Sequence, residues 1–524
     1  MELWLVLWSA AIAFCMAWAI GAQDVSNALG TSVGSKAITV RQAIYIAGIF
    51  EFSGSLAGGE VAGMISGGIL SVKNFMDHGE EGVTLYAEVM FSTMFGAFLW
   101  LAFATYFSLP VSTTHSLVGA LIGVGMVALG PGAVNYSSLT AILMSWVTSP
   151  LLGGAFAYVI FSVLHSTILM QPNPRKAALE NVPYFMGFTF GTLTAFIARV
   201  GPRSLRLSVF ASLILFVTSS VVVSMTIRSV GLEQCNLMYH RFTLFLNGYL
   251  GYTPVRTDDP GGKKDEGSSN IEEGKILQRI GSGNNIGGKN DDAGPTRRNT
   301  LTVAKSDSED VVDELPECID LPTTIGGVDD EKDPREEGEF KSDMAIAESM
   351  FINLMVITAC VVSFAHGSND VSNAVGPFTA ITEIWLTGQI SSGSVPPTWI
   401  LIVGGLGIVV GLGTYGHKVM ATVGENIAKL TFSRGFVAQI ATALTVLSAT
   451  QLGLSVSTTH CLIGAITGVA LVEGSEKINM GTIRKIAMSW LITLPASCLF
   501  GILTFFVFGF YAKNGLKLDP HVPV

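Results

Sequence analysis

Apolar runs of about 20 residues recur along this chain and restrict its fold more than any other feature. Trp4 to Ile20 is almost unbroken, and similar runs lie near 43–70, 89–108, 111–130, 139–166, 181–200 and 207–228. After a polar gap the pattern resumes near 349–368, 399–416, 436–454, 456–472 and 484–511. In a bilayer every backbone N–H and C=O needs a partner within the protein, which leaves helices or closed barrels. Runs of this length fit helices. Only 13% of the residues are charged, about half the share in a soluble domain. The sequence therefore predicts an all-α polytopic membrane protein with about 12 membrane segments. The first run starts beside Glu2 and lacks a small-residue cleavage site, so it is expected to be retained as a helix.

The two sets of runs repeat each other. Residues 21–30 read GAQDVSNALG and 367–376 read GSNDVSNAVG, with seven of ten in agreement at an offset of 370 − 24 = 346. Residues 111–120 read VSTTHSLVGA and 456–465 read VSTTHCLIGA, with eight of ten in agreement at 458 − 113 = 345. Ser145-Trp146 and Ser489-Trp490 follow at an offset of 344. Collinear matches at a nearly constant offset mark an internal duplication. The layout is then a first transmembrane repeat at 1–166, connecting transmembrane helices at 167–230, a hydrophilic acidic loop at 231–345, a second repeat at 346–511 and a tail at 512–524. Seven runs precede the second repeat. If all seven cross, the second copy enters with opposite topology. That is the inverted-repeat plan, with broken helices or re-entrant hairpins around the site.

From Arg256 to Asp343 there are 23 acidic and 12 basic side chains, 12 − 23 = −11, against −10 for the whole chain. The acidity thus belongs to the loop. No basic stripe exists, so nucleic acid is not expected as a partner. The stretch 251–345 is rich in Gly, Asp, Glu, Ser and Asn and too polar to order itself by burial. Ser306 and Ser308 stand among acids after Arg297-Arg298 and are open to phosphorylation. Residues 283–290 nearly spell a nucleotide-binding loop, but Asn290 stands where Ser or Thr should hold magnesium, and no strand precedes it. The six cysteines form no CxxC pair, so neither a disulfide framework nor a zinc site is expected.

Asp24 and Asp370 place carboxylates in membrane segments, where they are costly and mark a functional site. Asn27 and Asn373 each follow three residues later, on the same helical face. Gly21, Gly30 and Gly34 flank the first pair; Gly367, Gly376 and Pro377 flank the second. These residues are expected to break the helix and free backbone carbonyls. Carboxylate, amide and carbonyl oxygens are hard ligands that suit sodium. Ser112-Thr113-Thr114-His115 and Ser457-Thr458-Thr459-His460 set four polar residues in a row, which no single helical face accommodates. They are expected at a helix start, where hydroxyls and free N–H groups converge on an anion. Pro110 fits just before such a start. For His115 and His460 a structural bond to a backbone group and a substrate contact both stand open. An anion beside two aspartates, with Lys36 the nearest motif cation, requires bound cations between them. That is a physical reason to expect cation symport.

On GAQDVSNALGTSVGS, GSNDVSNAVG and both VSTTH segments the chain resembles the inorganic phosphate transporter (PiT) family of sodium–phosphate or proton–phosphate symporters. The resemblance covers both halves but not the loop. It implies an all-helical inverted-repeat fold with phosphate and sodium between the copies, and a cytosolic loop. By motif position it assigns Asp24, Asn27, Asp370 and Asn373 to sodium and phosphate, with Asn369 and Gln23 beside them toward sodium. It assigns Ser112, Thr113, Thr114, Ser457, Thr458 and Thr459 to phosphate. Glu51 matches an acidic position of the family. Two departures stand out. Gln23 replaces a family Asn, which the second copy keeps as Asn369. Ser433 to Gln439 resembles a segment that usually ends in Glu. The expected function is secondary active phosphate import coupled to sodium. Proton coupling through Glu51, His115 and His460 is the alternative, and a phosphate-sensing receptor that signals through the acidic loop is a rival of another class. No activated nucleophile is visible, so an enzyme is not expected. Sodium is expected as co-substrate, with no cofactor. The expected partners are inorganic phosphate, sodium and the lipid bilayer of the plasma membrane, with a homodimer left open.

Overall fold

The computed structural model describes residues 3–107, 109, 111–200, 206–232, 234–235, 334–391, 393–416, 431–474, 478 and 480–514. They belong to one compact unit, Met1–Leu237 with Pro316–Val524. A second unit, Met238–Leu315, lies wholly outside the described residues. The described chain is helical: α1 Leu3–Gly34, α2 Val40–Ala57, α3 Glu60–Gly67, α4 Val72–Met76, α5 Gly79–Tyr106, α6 Thr113–Leu129, α7 Tyr136–Leu164, α8 Pro174–Val200 and α9 Val209–Val230. After the gap come α10 Pro334–Ser349, α11 Ile352–Thr387, α12 Thr398–Gly411, α13 Phe432–Gln451, α14 Thr458–Glu473 and α15 Met480–Asn514. Among the described residues eight helical spans are long and apolar enough to cross a membrane, and α6 and α14 are shorter apolar helices. Phe210, Val222 and Met225 on α9 are exposed, as side chains that face lipid tails are.

Three local expectations change. The run 43–70 divides in two, because the Gly58 N–H closes α2 on the Gly54 and Ser55 carbonyls. Gly59 then takes φ +132°, a conformation that L side chains rarely adopt, and turns the chain into α3. The helix breaks expected beside Asp24 and Asp370 do not occur: α1 and α11 run continuously through both motifs. Gly21 and Gly367 serve close helix approach instead, against the Ile408 and Glu51 carbonyls. Only Pro377, inside α11, frees a carbonyl, because it has no N–H for Asn373 four residues earlier.

The third change concerns the loop. Residues 236–333, with Ser306, Ser308 and 283–290, lie outside the described residues. From Pro334 the chain is helical, because Met344 and Ala347 on α10 are buried and α10 packs on α8. Glu348 at its end accepts from the Ser433 N–H at 2.9 Å and the Ser433 hydroxyl at 2.7 Å, and so caps α13. Deleting 260–330 with a flexible joint spares all of this and is expected to leave uptake by purified protein within about twofold, or about 0.4 kcal/mol. Extending the deletion through Ser349 exposes the start of α13 and removes a charged hydrogen-bond acceptor, a loss of about 1.5–3 kcal/mol. Thermal midpoints of the two deletions distinguish these outcomes.

The two copies interlock. In the first copy α7 packs on α14 of the second, and α15 of the second packs on α6 of the first. The same exchange pairs α2 with α11 and α12 with α1, and again α15 with α5 and α7 with α13. Each of these three contacts recurs with the copies swapped, so each half is completed by the other. This crossing brings α1 and α11 together at the centre.

Candidate functional site

Ser112 and Ser457 start α6 and α14. Both have extended backbones, and their hydroxyls accept the His115 and His460 N–H groups at 3.3 and 3.4 Å. Each STTH segment therefore opens a helix, as its polar run predicts; Pro110 lies outside the described residues. The serine hydroxyls cap the helices, and the threonines reach out. Thr113 donates to Asp24 Oδ2 at 2.8 Å, and Thr458 to Asp370 Oδ2 at 3.4 Å. The second threonine of each motif crosses to the other copy. Asn27 Nδ2 donates to Thr459 at 2.7 Å, and Asn373 Nδ2 to Thr114 at 3.3 Å. All eight residues are buried. Two helix starts, each with free N–H groups and the positive end of a helix dipole, thus converge on one polar cluster.

Within the cluster Asn27 donates to Asp24 Oδ1 at 3.2 Å and Asn373 to Asp370 Oδ1 at 3.4 Å. Asn369 Nδ2 donates to Asp370 Oδ1 at 2.8 Å and to the Val456 carbonyl at 2.9 Å. Three buried oxygens, Asn369 Oδ1, Asn373 Oδ1 and Glu51 Oε1, receive no hydrogen bond from the described residues. Buried acceptors without donors are rare in native proteins and are the usual mark of an ion or water.

His366 joins this cluster, and sequence reasoning passed over it. Its Nε2 lies 2.8 Å from Asp370 Oδ2 and 3.9 Å from Asp24 Oδ2, and its Nδ1 lies 2.7 Å from Glu51 Oε2. The signal was its place four residues before Asp370, on the same helical face. It was missed because the first copy has Ile20 there, and the duplication directed attention to residues kept in both copies. Asp24, His366 and Asp370 each offer a ligand atom within 4.8 Å of the others. Among the described residues every ion pair of these three carboxylates goes to His366. Three buried carboxylates around one imidazole leave negative charge that low-dielectric surroundings do not tolerate alone.

His115 and His460 lie elsewhere. Their rings meet edge-on at 4.6 Å, His115 packs on Trp146 at 3.8 Å and His460 on Trp490 at 3.6 Å. His460 Nδ1–H donates to the Trp146 carbonyl at 3.2 Å. For His460 this is the backbone bond that the sequence left open; what repeats in both copies is the packing of each histidine ring on a tryptophan.

Residues 20–501 match the phosphate transporter family. The chain belongs to that family. It is similar to a putative phosphate permease of Haemophilus influenzae, 36% identical over 506 residues and 96% of each chain. It is similar to the chloroplastic inorganic phosphate transporter 2-1 of Arabidopsis thaliana, 33% identical over 94% of this chain and 70% of the other. A solved structure described as the sodium-dependent phosphate transporter superposes with a TM-score of 0.69 at 29% identity, over 97% of this chain and 99% of the other.

In this family member both departures from the usual motifs are buried. Gln439 Nε2 approaches the Ala28 carbonyl at 3.2 Å, Thr31 Oγ1 at 2.7 Å and Ser32 Oγ at 2.9 Å, and its Oε1 accepts from Thr358 at 2.7 Å. A neutral amide there ties α13 to α1 and α11. Gln23 is carried away from Asp24 by its extra methylene: Thr105 donates to its Oε1 at 3.0 Å, and its Nε2 donates to the Leu109 carbonyl. Asn369, one bond shorter, stays on its aspartate. Gln23→Asn is expected to release Leu109 and shift the half-saturating sodium or phosphate concentration by more than about threefold, roughly 0.7 kcal/mol. Asn369→Gln is expected to be more damaging, because it draws an amide off Asp370. Uptake kinetics unchanged in both variants would place this pair outside the binding region.

Proposed function

We propose that the chain imports inorganic phosphate by sodium symport, with both ligands held between the two copies. The observation that carries this reading is the crossed arrangement of Thr113, Thr114, Thr458 and Thr459. Two helix starts supply hydroxyl and N–H donors to one place, the chemistry that a tetrahedral oxyanion needs. Asp24 and Asp370 stand against them, so a phosphate there needs cations between anion and carboxylate. Ser112 and Ser457 act as caps that hold the threonines in register, and phosphate is held by the threonines with Asn27 and Asn373. The swapped packing of the halves supports an inverted repeat, a plan in which one half rocks against the other around a central site. The plasma membrane is the proposed residence.

The test is labelled phosphate uptake into proteoliposomes, with sodium and pH gradients imposed separately. A sodium gradient alone is expected to drive accumulation, and excess sulfate to compete weakly. One observation favours a second reading: the chain Glu51–His366–Asp370 is a buried path that also suits a proton. Accumulation driven by a pH gradient in sodium-free buffer would establish that reading. Phosphate binding without accumulation under either gradient would establish a receptor.

A further inference from the structure

The two halves are not equal, and the close helix contacts show where they differ. A Cβ on Gly21 would overlap the Ile408 carbonyl, and a Cβ on Gly367 the Glu51 carbonyl. Gly411 meets the Trp18 carbonyl, and Gly54 the Phe364 carbonyl, in the same way. The offsets agree: 367 − 21 = 364 − 18 = 346 for α1 and α11, and 408 − 51 = 411 − 54 = 357 for α2 and α12. Glu51 is thus the structural equivalent of Ile408, and His366 of Ile20. All four are buried, yet one of the two equivalent helix contacts carries a carboxylate–imidazole pair, Glu51 from the first copy and His366 from the second, where the other carries Ile408 and Ile20.

The difference falls on the carboxylates. Asp370 is approached by His366 at 2.8 Å and by the amides of Asn369 at 2.8 Å and Asn373 at 3.4 Å. Those amide nitrogens face Asp370, and the oxygens of the same two amides receive no hydrogen bond from the described residues. Asp24 keeps Thr113 and Asn27, while Gln23 is turned toward Thr105 and Leu109. We propose that the two cation half-sites are unequal: Asp370, Asn369 and Asn373 form the tighter one, and His366, held by Glu51, is the positioning residue that fixes Asp370 for it. An imidazole nitrogen is a poor ligand for a hard cation beside oxygen donors. Its part here is to hold the carboxylate, as outer partners do for metal ligands. Asp24 lies farther from His366, at 3.9 Å, and among the described residues Asn27 supplies its one amide contact, so this half-site fills at higher sodium concentration. This inference rests on the sodium-symport reading and deepens it.

Purified full-length protein is titrated with sodium chloride against choline chloride, with the thermal midpoint as readout and no phosphate present. Asp370→Asn is expected to raise the half-saturating sodium concentration of the first stabilising phase at least about tenfold. Asp24→Asn should change it less than threefold. His366→Leu should raise it about tenfold, and His366→Gln, which restores an N–H near the same place, should return it to within threefold of the wild type. Ile20→Leu, at the equivalent place in the other half, should leave it unchanged. In uptake assays His366→Leu should recover at least half the maximal rate at saturating sodium, which separates positioning from collapse. The proposal is overturned if Asp24→Asn raises the sodium requirement as much as Asp370→Asn. That comparison stands even if the His366 variants fail to fold. It is also overturned if His366→Gln and His366→Leu behave alike. A wild type that responds to phosphate but not to sodium overturns the symport reading itself, and this inference with it. A sodium-responsive wild type with equivalent aspartates overturns the inference alone.

Discussion

Asp24→Asn and Asp370→Asn are each expected to cut sodium-driven phosphate uptake about tenfold to a hundredfold while the protein stays folded. Asparagine keeps the size of aspartate and loses its charge. Contacts to a charged group contribute about 1.5–3 kcal/mol each, and about 1.4 kcal/mol is a factor of ten. At Asp24 the new amide also sets a donor against the Thr113 hydroxyl, which now donates to Oδ2 at 2.8 Å. At Asp370 it sets one near His366 Nε2, now 2.8 Å from Oδ2. Burial means that water does not repair either loss, since the two residues are 2% and 1% exposed. The thermal midpoints should fall with these contacts while the protein remains folded at the temperature of the uptake assay. Normal rates with normal sodium affinity in both variants would remove the carboxylates from the cation site.

Gly21→Ala and Gly367→Ala are expected to destabilise the protein by about 2–3 kcal/mol each, the upper part of the range for overpacking. In both cases the added methyl meets a backbone carbonyl on a neighbouring helix, of Ile408 or of Glu51. A carbonyl within a helix has no rotamer with which to give way, so the helices must part. Asp24 and Asp370 follow three residues after these glycines, so uptake should fall with stability. Gly413→Ala is the control, because nothing lies within 4 Å of a Cβ at that position, and surface-type changes of this kind stay within about 0.5 kcal/mol. Equal midpoints for all three variants would show that close approach at Gly21 and Gly367 is not required.

Much of this protein was determined by sequence alone. Hydrophobic runs specify helices because a bilayer leaves the backbone no other way to satisfy itself. The duplication singled out Asp24, Asn27, Asp370, Asn373 and both STTH segments as candidates, because two copies kept the same costly polar residues, and the aspartates, asparagines and threonines among them lie in one buried cluster. The helix starts at Ser112 and Ser457 were legible too, since hydroxyl capping is a local interaction between residues three apart. What depended on contacts between distant residues was not legible. The glycines beside the aspartates suggested broken helices, but close packing against α2 and α12 decided their role. Whether Gln23 reached a cation or the Leu109 carbonyl turned on where the end of α5 comes to lie. The crossing of Asn27 to Thr459 and of Asn373 to Thr114 spans hundreds of residues and follows from the interlock of the copies. His366 is the sharpest case. It has no counterpart in the first copy, so repetition was silent about it, and only the packing of α11 on α2 sets Glu51 beside it. Sequence symmetry revealed what the two halves share; the tertiary structure decided where they differ, because that difference is a contact between helices and not a pattern along either one.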